Sequence, residues 1–124
     1  NPATSNTFTF WQAWRGSRKA DADGVAAINE IENPDNLMID QQGGVWFGTD
    51  GNFSGNDTAD ALYYLDLDPA HKTTAVVTYG MPFRVIAGPS DSEATGPAFN
   101  ADMSTIFFNV QHPGEREVST WPPR

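Results

Sequence analysis

Residues 37–48 read LMIDQQGGVWFG, and this stretch decides the fold. Two short apolar runs, residues 37–39 and 45–48, enclose a polar, glycine-rich segment at residues 41–44. Runs of β-branched and aromatic residues bounded by Gly, Asn and Asp are typical of strands, and a short loop between two such runs is typical of a β-hairpin. The stretch therefore predicts two antiparallel strands joined by a turn.

A similar stretch follows about 60 residues later. Residues 97–100 and 105–110 are the flanks, and residues 101–104 are the polar turn. Ile39-Asp40, a turn and VWF thus resemble Phe99-Asn100, a turn and IFF. A strand–turn–strand unit that recurs at wide spacing, each time followed by a polar loop, is typical of the blades of a β-propeller. Two copies are only a weak repeat, so a β-sandwich remains the alternative.

Two further segments complete the prediction of an all-β fold. Residues 61–67 and 73–79 flank the polar residues 68–72, so they predict another hairpin. Residues 19–31 contain Gly24 and lack amphipathic spacing, so they are interpreted as a loop.

The length limits how much of a propeller the chain can hold. It has 124 residues, whereas a blade needs roughly 40–50 residues and a ring needs at least about four blades. We therefore expect two to three blades of an incomplete β-propeller, completed by other polypeptide, with residues 1–124 as a single segment of a larger catalytic domain. Because such a segment leaves strand edges and blade faces open, we expect that it is not a free monomer.

Charge and residue types exclude several classes of function. Seven Lys and Arg against 16 Asp and Glu give a formal net charge of −9, which opposes binding to nucleic acid. The chain has no cysteine, so oxygen or imidazole must hold any metal. It has no apolar run of the roughly 18–20 residues that cross a bilayer. It also lacks the GxSxG, Walker, dinucleotide-binding and HExxH motifs.

Three landmarks follow one another in order along the chain. In order and spacing they resemble the C-terminal part of the PhoX-type bacterial alkaline phosphatases, over about Asn33 to Pro122. The most specific element is QHPGE followed shortly by STWP. The landmarks are PDNL (34–37) with VW (45–46) and TDG (49–51), then EATGP (93–97), then FFNVQHPGE (107–115).

This resemblance implies a large secreted phosphomonoesterase, periplasmic or extracellular. It also implies a propeller fold with calcium and iron ions clustered at a central channel. Most of that family's metal ligands, including a cysteine, would lie upstream of Asn1. The chain is therefore interpreted as one piece of a phosphomonoester hydrolase that needs its remaining polypeptide for activity.

Asp35 and Glu93 are the predicted metal ligands. Asp35 precedes an apolar strand, and its hard carboxylate oxygen suits calcium, to which Asn36 can add an amide oxygen. The alternative is that Asp35 and Asn36 form only an Asx turn. Glu93 is interpreted as a lone carboxylate in a polar segment bounded by glycine and proline, with a solvated loop glutamate as its alternative.

Other polar residues are assigned outer roles. Gln111, His112 and Asp50 are predicted to contact substrate or the ligands, and a structural hydrogen bond in the turn is the alternative for His112. Residues 50–56 space their oxygen side chains like an EF-hand loop, but Ala61 stands where that loop needs a glutamate. A polar connection is therefore the preferred interpretation.

Two remaining cationic side chains are interpreted as unrelated to the site. His71 is expected to be exposed in a turn. Arg84, whose planar group suits phosphate, is expected not to bind it.

The sequence leaves more than one function open. The first hypothesis is a segment of a metal-dependent phosphatase that contributes carboxylates to a channel metal cluster. The rival is a non-catalytic, calcium-stabilised structural or binding module of propeller type. A propeller hydrolase of another kind, such as a lactonase, is the third hypothesis.

Overall fold

A computed structural model describes residues 4–10, 12–16, 31–51 and 59–114. Apart from one short helix, every regular element in these ranges is a strand. None of their helices is long and apolar enough to span a membrane. The elements are β1 (Pro34–Ile39), β2 (Val45–Thr49), β3 (Ala61–Leu65), α1 (Pro69–Thr73), β4 (Pro82–Ala87), β5 (Glu93–Phe99) and β6 (Ile106–Gln111).

The strands form two antiparallel sheets. Strands β1, β2, β3 and β4 lie side by side in chain order, and β5 pairs with β6 in a second sheet. The predicted hairpins at residues 37–48 and 97–110 are confirmed as β1–β2 and β5–β6. The expected all-β fold is thereby confirmed, and the two sheets form an open, incomplete propeller-like arrangement. That residues 1–124 form one segment of a larger domain stays a prediction.

The hairpin predicted between residues 61–67 and 73–79 is wrong. Strand β3 pairs instead with β4, for example through Leu62 and Ile86. The intervening segment begins with α1, because Asp68 accepts a hydrogen bond from the Ala70 N–H at 2.8 Å and Pro69 follows as the first helical residue. Asp-Pro is thus a helix start here rather than a hairpin turn. The loop predicted at residues 19–31 lies almost entirely outside the described residues.

The turns of the two hairpins begin in the same way, although the second turn is one residue longer. The Asp40 N–H donates to Gly44 O at 2.9 Å, and the Asn100 N–H donates to Thr105 O at 3.1 Å. Three residues after each of these polar residues, a residue with left-handed backbone donates its N–H back to the polar residue's carbonyl: Gly43 (φ 91°) and Met103 (φ 59°). The recurrence found in the sequence therefore corresponds to two hairpins of similar local structure.

Each face of the four-stranded sheet has its own packing partners. Directly paired residues share a face, so Leu37, Ile39, Val45, Phe47 and Tyr63 define one, called the Ile39 face. Trp14 covers part of it, with its ring centroid 5.4 Å from that of Phe47. Trp11, the other tryptophan of that segment, lies outside the described residues.

The opposite side, called the Trp46 face, carries Met38, Trp46 and Tyr64 and packs against the second sheet. The Trp46 ring lies 5.1 Å from that of Phe99 in an edge-to-face arrangement. Gly48 lies very close to the second sheet, because a Cβ at this position would collide with the carbonyl oxygen of Ala94 on β5. This contact brings the start of β5 beside β1 and β2.

Candidate metal centre

Three carboxylates meet where the two sheets adjoin. Asp35 is the second residue of β1, Asp50 follows β2 directly, and Glu93 is the first residue of β5. One oxygen from each side chain lies within 4.8 Å of the other two. Glu93 is buried, whereas Asp35 and Asp50 are exposed, so the group sits at the surface with one buried member. We call these residues the acidic triad.

The same local backbone arrangement positions Asp35 and Glu93. Two residues before each lies a non-glycine residue with left-handed backbone, Asn33 (φ 50°) and Asp91 (φ 57°). The Asn33 carbonyl accepts the Asp50 N–H at 3.1 Å, and the Asp91 carbonyl accepts the Gly114 N–H at 2.9 Å. Each hairpin is thus tied together at its open end. Such conformations are costly for residues with a Cβ and are concentrated at functional sites.

A hydrogen-bonded network fixes the third member, Asp50, from both sides. The Thr49 hydroxyl donates to Asp60 Oδ1 at 2.8 Å, and the Gly51 N–H donates to Asp60 Oδ2 at 3.0 Å. The Ala61 N–H in turn donates to the Thr49 hydroxyl at 3.1 Å. Because Asp60 holds the residues on both sides of Asp50, the end of β2 is anchored to the start of β3. Asp60 has no role that its sequence position predicts, because only the pairing of β2 with β3 brings its carboxylate beside Thr49 and Gly51.

Burial and like charge act together on Glu93. Burial raises the pKa of the Glu93 carboxyl, and the charges of Asp50 and Asp35 raise it further. A hydrogen bond with the Asp35 carboxyl acts in the same direction, while His112 opposes it. A bound cation would remove this repulsion, and three carboxylate oxygens are the hard donors that calcium prefers. The residues therefore fit a calcium ion.

The structure brings Asp35 and Glu93 together, and it adds Asp50. Asp50 was predicted to have an outer role, but its carboxylate lies in the same group as the other two. Glu93 is not in a solvated loop: it begins β5 and is only 8% exposed. The Asn36 side-chain amide donates to Asp35 Oδ2 at 2.9 Å. Whether Asn36 is itself a ligand stays a prediction.

Gln111 and His112 lie beside the triad. Gln111 pairs with Glu93 across β5–β6, and its side-chain amide hydrogen-bonds His112 Nε2 at 2.8 Å. His112 has left-handed backbone (φ 51°) and is exposed. Their predicted contact with substrate stays a prediction. Most of the EF-hand-like stretch lies outside the described residues, which end at Gly51 and resume at Ala59.

His71 is partly exposed, with 42% of its side chain accessible, but the predicted turn is a helix and the imidazole has a buried partner. His71 lies in α1, and its Nδ1 is 2.9 Å from Asp66 Oδ2. Asp66 is nearly fully buried and also accepts the Thr78 hydroxyl at 2.7 Å. We call Asp66, His71 and Thr78 the Asp66 cluster. The spacing of these three residues in the sequence does not predict the cluster, because Thr78 reaches Asp66 only through the turns that follow α1.

In the Asp66 cluster, the pKa of the acid is lowered and the pKa of the base is raised, as expected for an Asp–His ion pair. Burial alone would raise the pKa of Asp66, but hydrogen bonds from Thr78, His71 and the Asp68 N–H outweigh it and lower the pKa. The hydrogen bond with Asp66 raises the pKa of His71, against a smaller opposing effect of desolvation.

Arg84 belongs to β4, where its side chain contacts an aromatic residue. Its Nε donates to the Tyr63 hydroxyl at 3.2 Å, and its guanidinium carbon is 5.7 Å from the Tyr63 ring centroid. This contact gives Arg84 a packing role on the sheet.

Comparison with known proteins identifies the family. The family model described as alkaline phosphatase PhoX matches residues 2–114, which is most of the chain. The match begins upstream of Asn33, where the resemblance read from the sequence begins, and it ends at Gly114. This family is metal-dependent. No significant match was found among curated proteins or among solved structures. The chain belongs to the PhoX family of alkaline phosphatases.

Proposed function

We propose that the chain forms part of a calcium-dependent phosphomonoesterase, in which Asp35, Asp50 and Glu93 hold a calcium ion. The observation that carries the proposal is the convergence of three carboxylate oxygens within 4.8 Å, from two different sheets. Without a cation, burial and then the like charges of Asp50 and Asp35 raise the pKa of Glu93. Membership of a metal-dependent phosphatase family supports the same conclusion.

Each part of the site has a separate task in this proposal. A bound ion would neutralise charge on the phosphoryl group of the substrate. The Thr49–Asp60–Gly51 network holds Asp50 in place, and Asn36 orients Asp35 through its hydrogen bond. Gln111 and His112 are exposed next to Glu93, so they can donate hydrogen bonds to phosphate oxygens. The cysteine ligand that the resemblance implies would come from elsewhere, because this chain has no cysteine.

The exposure of Asp35 and Asp50 bears on which other ligands the ion would have and on how tightly it would bind. A triad with two exposed members leaves coordination positions open, so further ligands would come from other polypeptide that completes the channel, or from the substrate phosphate. A calcium site with few protein ligands is expected to be weak, in the range of about 0.1–1 mM that is typical of extracellular modules. We therefore assign the function to the periplasm or the extracellular space, where calcium is abundant.

Calorimetric titration with calcium tests the ion site. The natural chain should bind calcium, and Glu93→Gln should weaken binding at least about tenfold. Asp102→Asn is the matched control, because it removes the same charge in the β5–β6 turn, where Asp102 accepts the Ser104 N–H. Equal affinity in the natural chain and in Glu93→Gln would contradict the site.

Hydrolysis of p-nitrophenyl phosphate tests the enzymatic part separately. Calcium-dependent hydrolysis that is lost in Glu93→Gln and retained in Asp102→Asn is the expected result, with the remaining polypeptide of the propeller added. Calcium binding without hydrolysis under any such complementation would instead favour the non-catalytic module.

A further inference from the structure

A cavity of about 660 Å³ lies beside α1. Asp60, which anchors the acidic triad, precedes β3, whereas the cavity begins at Leu67, beyond the other end of that strand. Pockets for small molecules typically measure about 300–1,000 Å³ and have mainly apolar walls with a few polar groups. This cavity has that size and that kind of lining, and its walls include Phe10, Ala13, Leu67, Pro69, Lys72 and Tyr79.

The Asp66 cluster holds one wall of the cavity in place. Each of its three members is followed in the chain by a residue that lines the cavity: Asp66 by Leu67, His71 by Lys72, and Thr78 by Tyr79. Gly80, another lining residue, donates its N–H to the Asp66 carbonyl at 2.8 Å. The bonds within the cluster therefore fix this wall before any ligand binds, which lowers the entropic cost of binding.

Lys72 brings a positive charge to the mainly apolar cavity. Its ammonium lies 5.9 Å from the centroid of the Tyr79 ring. The acids next to α1 face His71 instead, whose Nδ1 is 2.9 Å from Asp66 Oδ2 and whose Nε2 is 3.8 Å from Asp68 Oδ2. Within the described ranges, Lys72 forms no ion pair. Its charge is thus available to an anionic ligand.

We infer that this cavity binds a small aromatic carboxylate, with its ring against Tyr79 and Leu67 and its carboxylate on the Lys72 ammonium. The Tyr79 and Phe10 rings in the walls favour an aromatic body. A monoanion suits a single ammonium, because a dianion would leave one charge uncompensated in mainly apolar surroundings. The inference goes beyond the proposed function and depends neither on calcium nor on the acidic triad.

An NMR titration of the natural chain with 2-naphthoate tests the site. We expect the amide signals of Leu67, Lys72 and Tyr79 to shift with a dissociation constant of about 0.1–1 mM. The signals of Asp35 and Glu93 should not move. The inference is overturned if these three amides do not respond up to about 10 mM, or if the shifts occur only on the exposed Ile39 face.

Two substitutions of Lys72 test the role of its charge. Lys72→Met keeps an apolar stem but removes the ammonium, so it should weaken 2-naphthoate binding at least about threefold. The neutral 2-naphthamide should bind Lys72→Met and the natural chain equally well. Lys72→Arg is the matched control and should bind both compounds like the natural chain. Unchanged 2-naphthoate affinity in Lys72→Met, or equal weakening of both compounds, would contradict the charge contact.

A pair of alanine substitutions tests the location independently of charge. Ala13 and Ala101 are both exposed, but only Ala13 lines the cavity. Ala13→Trp should fill part of the cavity and weaken both compounds, whereas Ala101→Trp in the β5–β6 turn should leave both affinities unchanged. Equal affinities in the two variants would contradict binding in this cavity.

Discussion

The Asp66 cluster and the acidic triad each contain a buried carboxylate, but the two carboxylates have different partners. Asp66 is buried deeply, but Thr78, His71 and a backbone N–H donate to it and lower its pKa. Glu93 is also buried, but its nearest charged neighbours include two other carboxylates, and its pKa is raised. The first carboxylate is compensated by hydrogen bonds from its own chain, whereas the second has like-charged neighbours whose repulsion a bound cation would remove. Burial alone therefore does not mark a carboxylate as a candidate metal ligand, because its hydrogen-bond partners decide whether its charge is compensated.

The two groups also differ in how the fold assembles them. The Asp66 cluster comes from residues 66–78, close together in the chain, and its contacts do not involve the second sheet. The acidic triad joins β1, β2 and β5, so it exists only while the two sheets pack against each other. Perturbing the contact between the sheets should affect the two groups unequally.

Gly48→Ala should give the largest difference between the two groups, because it should disturb the acidic triad and leave the Asp66 cluster unchanged. The added Cβ collides with the Ala94 carbonyl, and because this is backbone it can be relieved only by moving β5 away. We expect a loss of about 3 kcal/mol in the free energy of unfolding and at least about a tenfold loss of calcium affinity. The imidazole pKa of His71, measured by NMR, should keep its natural value. Retained calcium affinity, or an altered His71 titration, would contradict the assignment of the two groups to different parts of the fold.

Asp66→Asn should be costly without affecting calcium. The substitution removes the charge that His71 faces and puts an amide where a carboxylate accepts several hydrogen bonds, so we expect a loss of about 2–3 kcal/mol, measured by urea denaturation. Asp102→Asn serves as the control at an exposed carboxylate. The account of the Asp66 cluster fails if the two variants lose equal stability.

Calcium should stabilise the natural chain through the triad. At a concentration about 100 times its dissociation constant, an ion that binds only the folded state adds about 2.7 kcal/mol. Glu93→Gln should lose most of this gain. In chelator it should be at least as stable as the natural chain, because it removes one of the repelling charges. Thermal denaturation with calcium and with chelator measures both effects, and a Glu93→Gln protein that is less stable in chelator would contradict the repulsion.

The pH dependence should distinguish the two groups in acid. Asp66 has a lowered pKa, so its contribution to stability is present above its usual value of 3.8 and is lost as pH falls through the lowered value. Metal-free Glu93 has a raised pKa, so its contribution is present below its usual 4.5 and is lost as pH rises through the raised value. We expect calcium-free Glu93→Gln to be stabilised relative to the natural chain more at pH 7 than at pH 4. An unchanged difference between these pH values would contradict the raised pKa.

The smallest expected effect concerns His71. Its raised pKa means that its contribution is fully present below its usual 6.5 and is lost as pH rises through the raised value. An NMR titration should give a pKa above 6.5 in the natural chain and a lower one in Asp66→Asn. A His71 pKa that does not respond to Asp66→Asn would show that the pairing has no energetic consequence.

The hairpins β1–β2 and β5–β6 were predicted correctly, because the residues that determine each of them are close together in the sequence. Residues 37–48 and 97–110 each combine apolar runs with a turn that begins at Asp40 or Asn100, and the structure uses these residues for that purpose. The predicted partner of β3 was wrong, because the strand that pairs with it, β4, is separated from it in the chain by α1 and several turns. Residues 73–79 have strand-like composition, but the hydrogen bond from Thr78 to Asp66 holds them beside the helix. Tertiary contacts overrode local propensity there.

The candidate site was predicted only in part, for a similar reason. Asp35 and Glu93 were predicted as ligands of one ion cluster, but what brings them together is the packing between the sheets at Gly48, which a sequence does not display. Asp50 was given an outer role because its loop resembled a weak EF-hand rather than the end of a strand. His71 and Asp66 were missed because they meet through a helix that was interpreted as a turn.

Anomalous diffraction from crystals of the chain grown with calcium tests the central claim most directly. The account predicts one ion bound by oxygens of Asp35, Asp50 and Glu93, at the distances of about 2.3–2.6 Å that calcium–oxygen bonds have. No ion should lie at the Asp66 cluster. An anomalous peak elsewhere, with the three carboxylates free of any ion at saturating calcium, would contradict it.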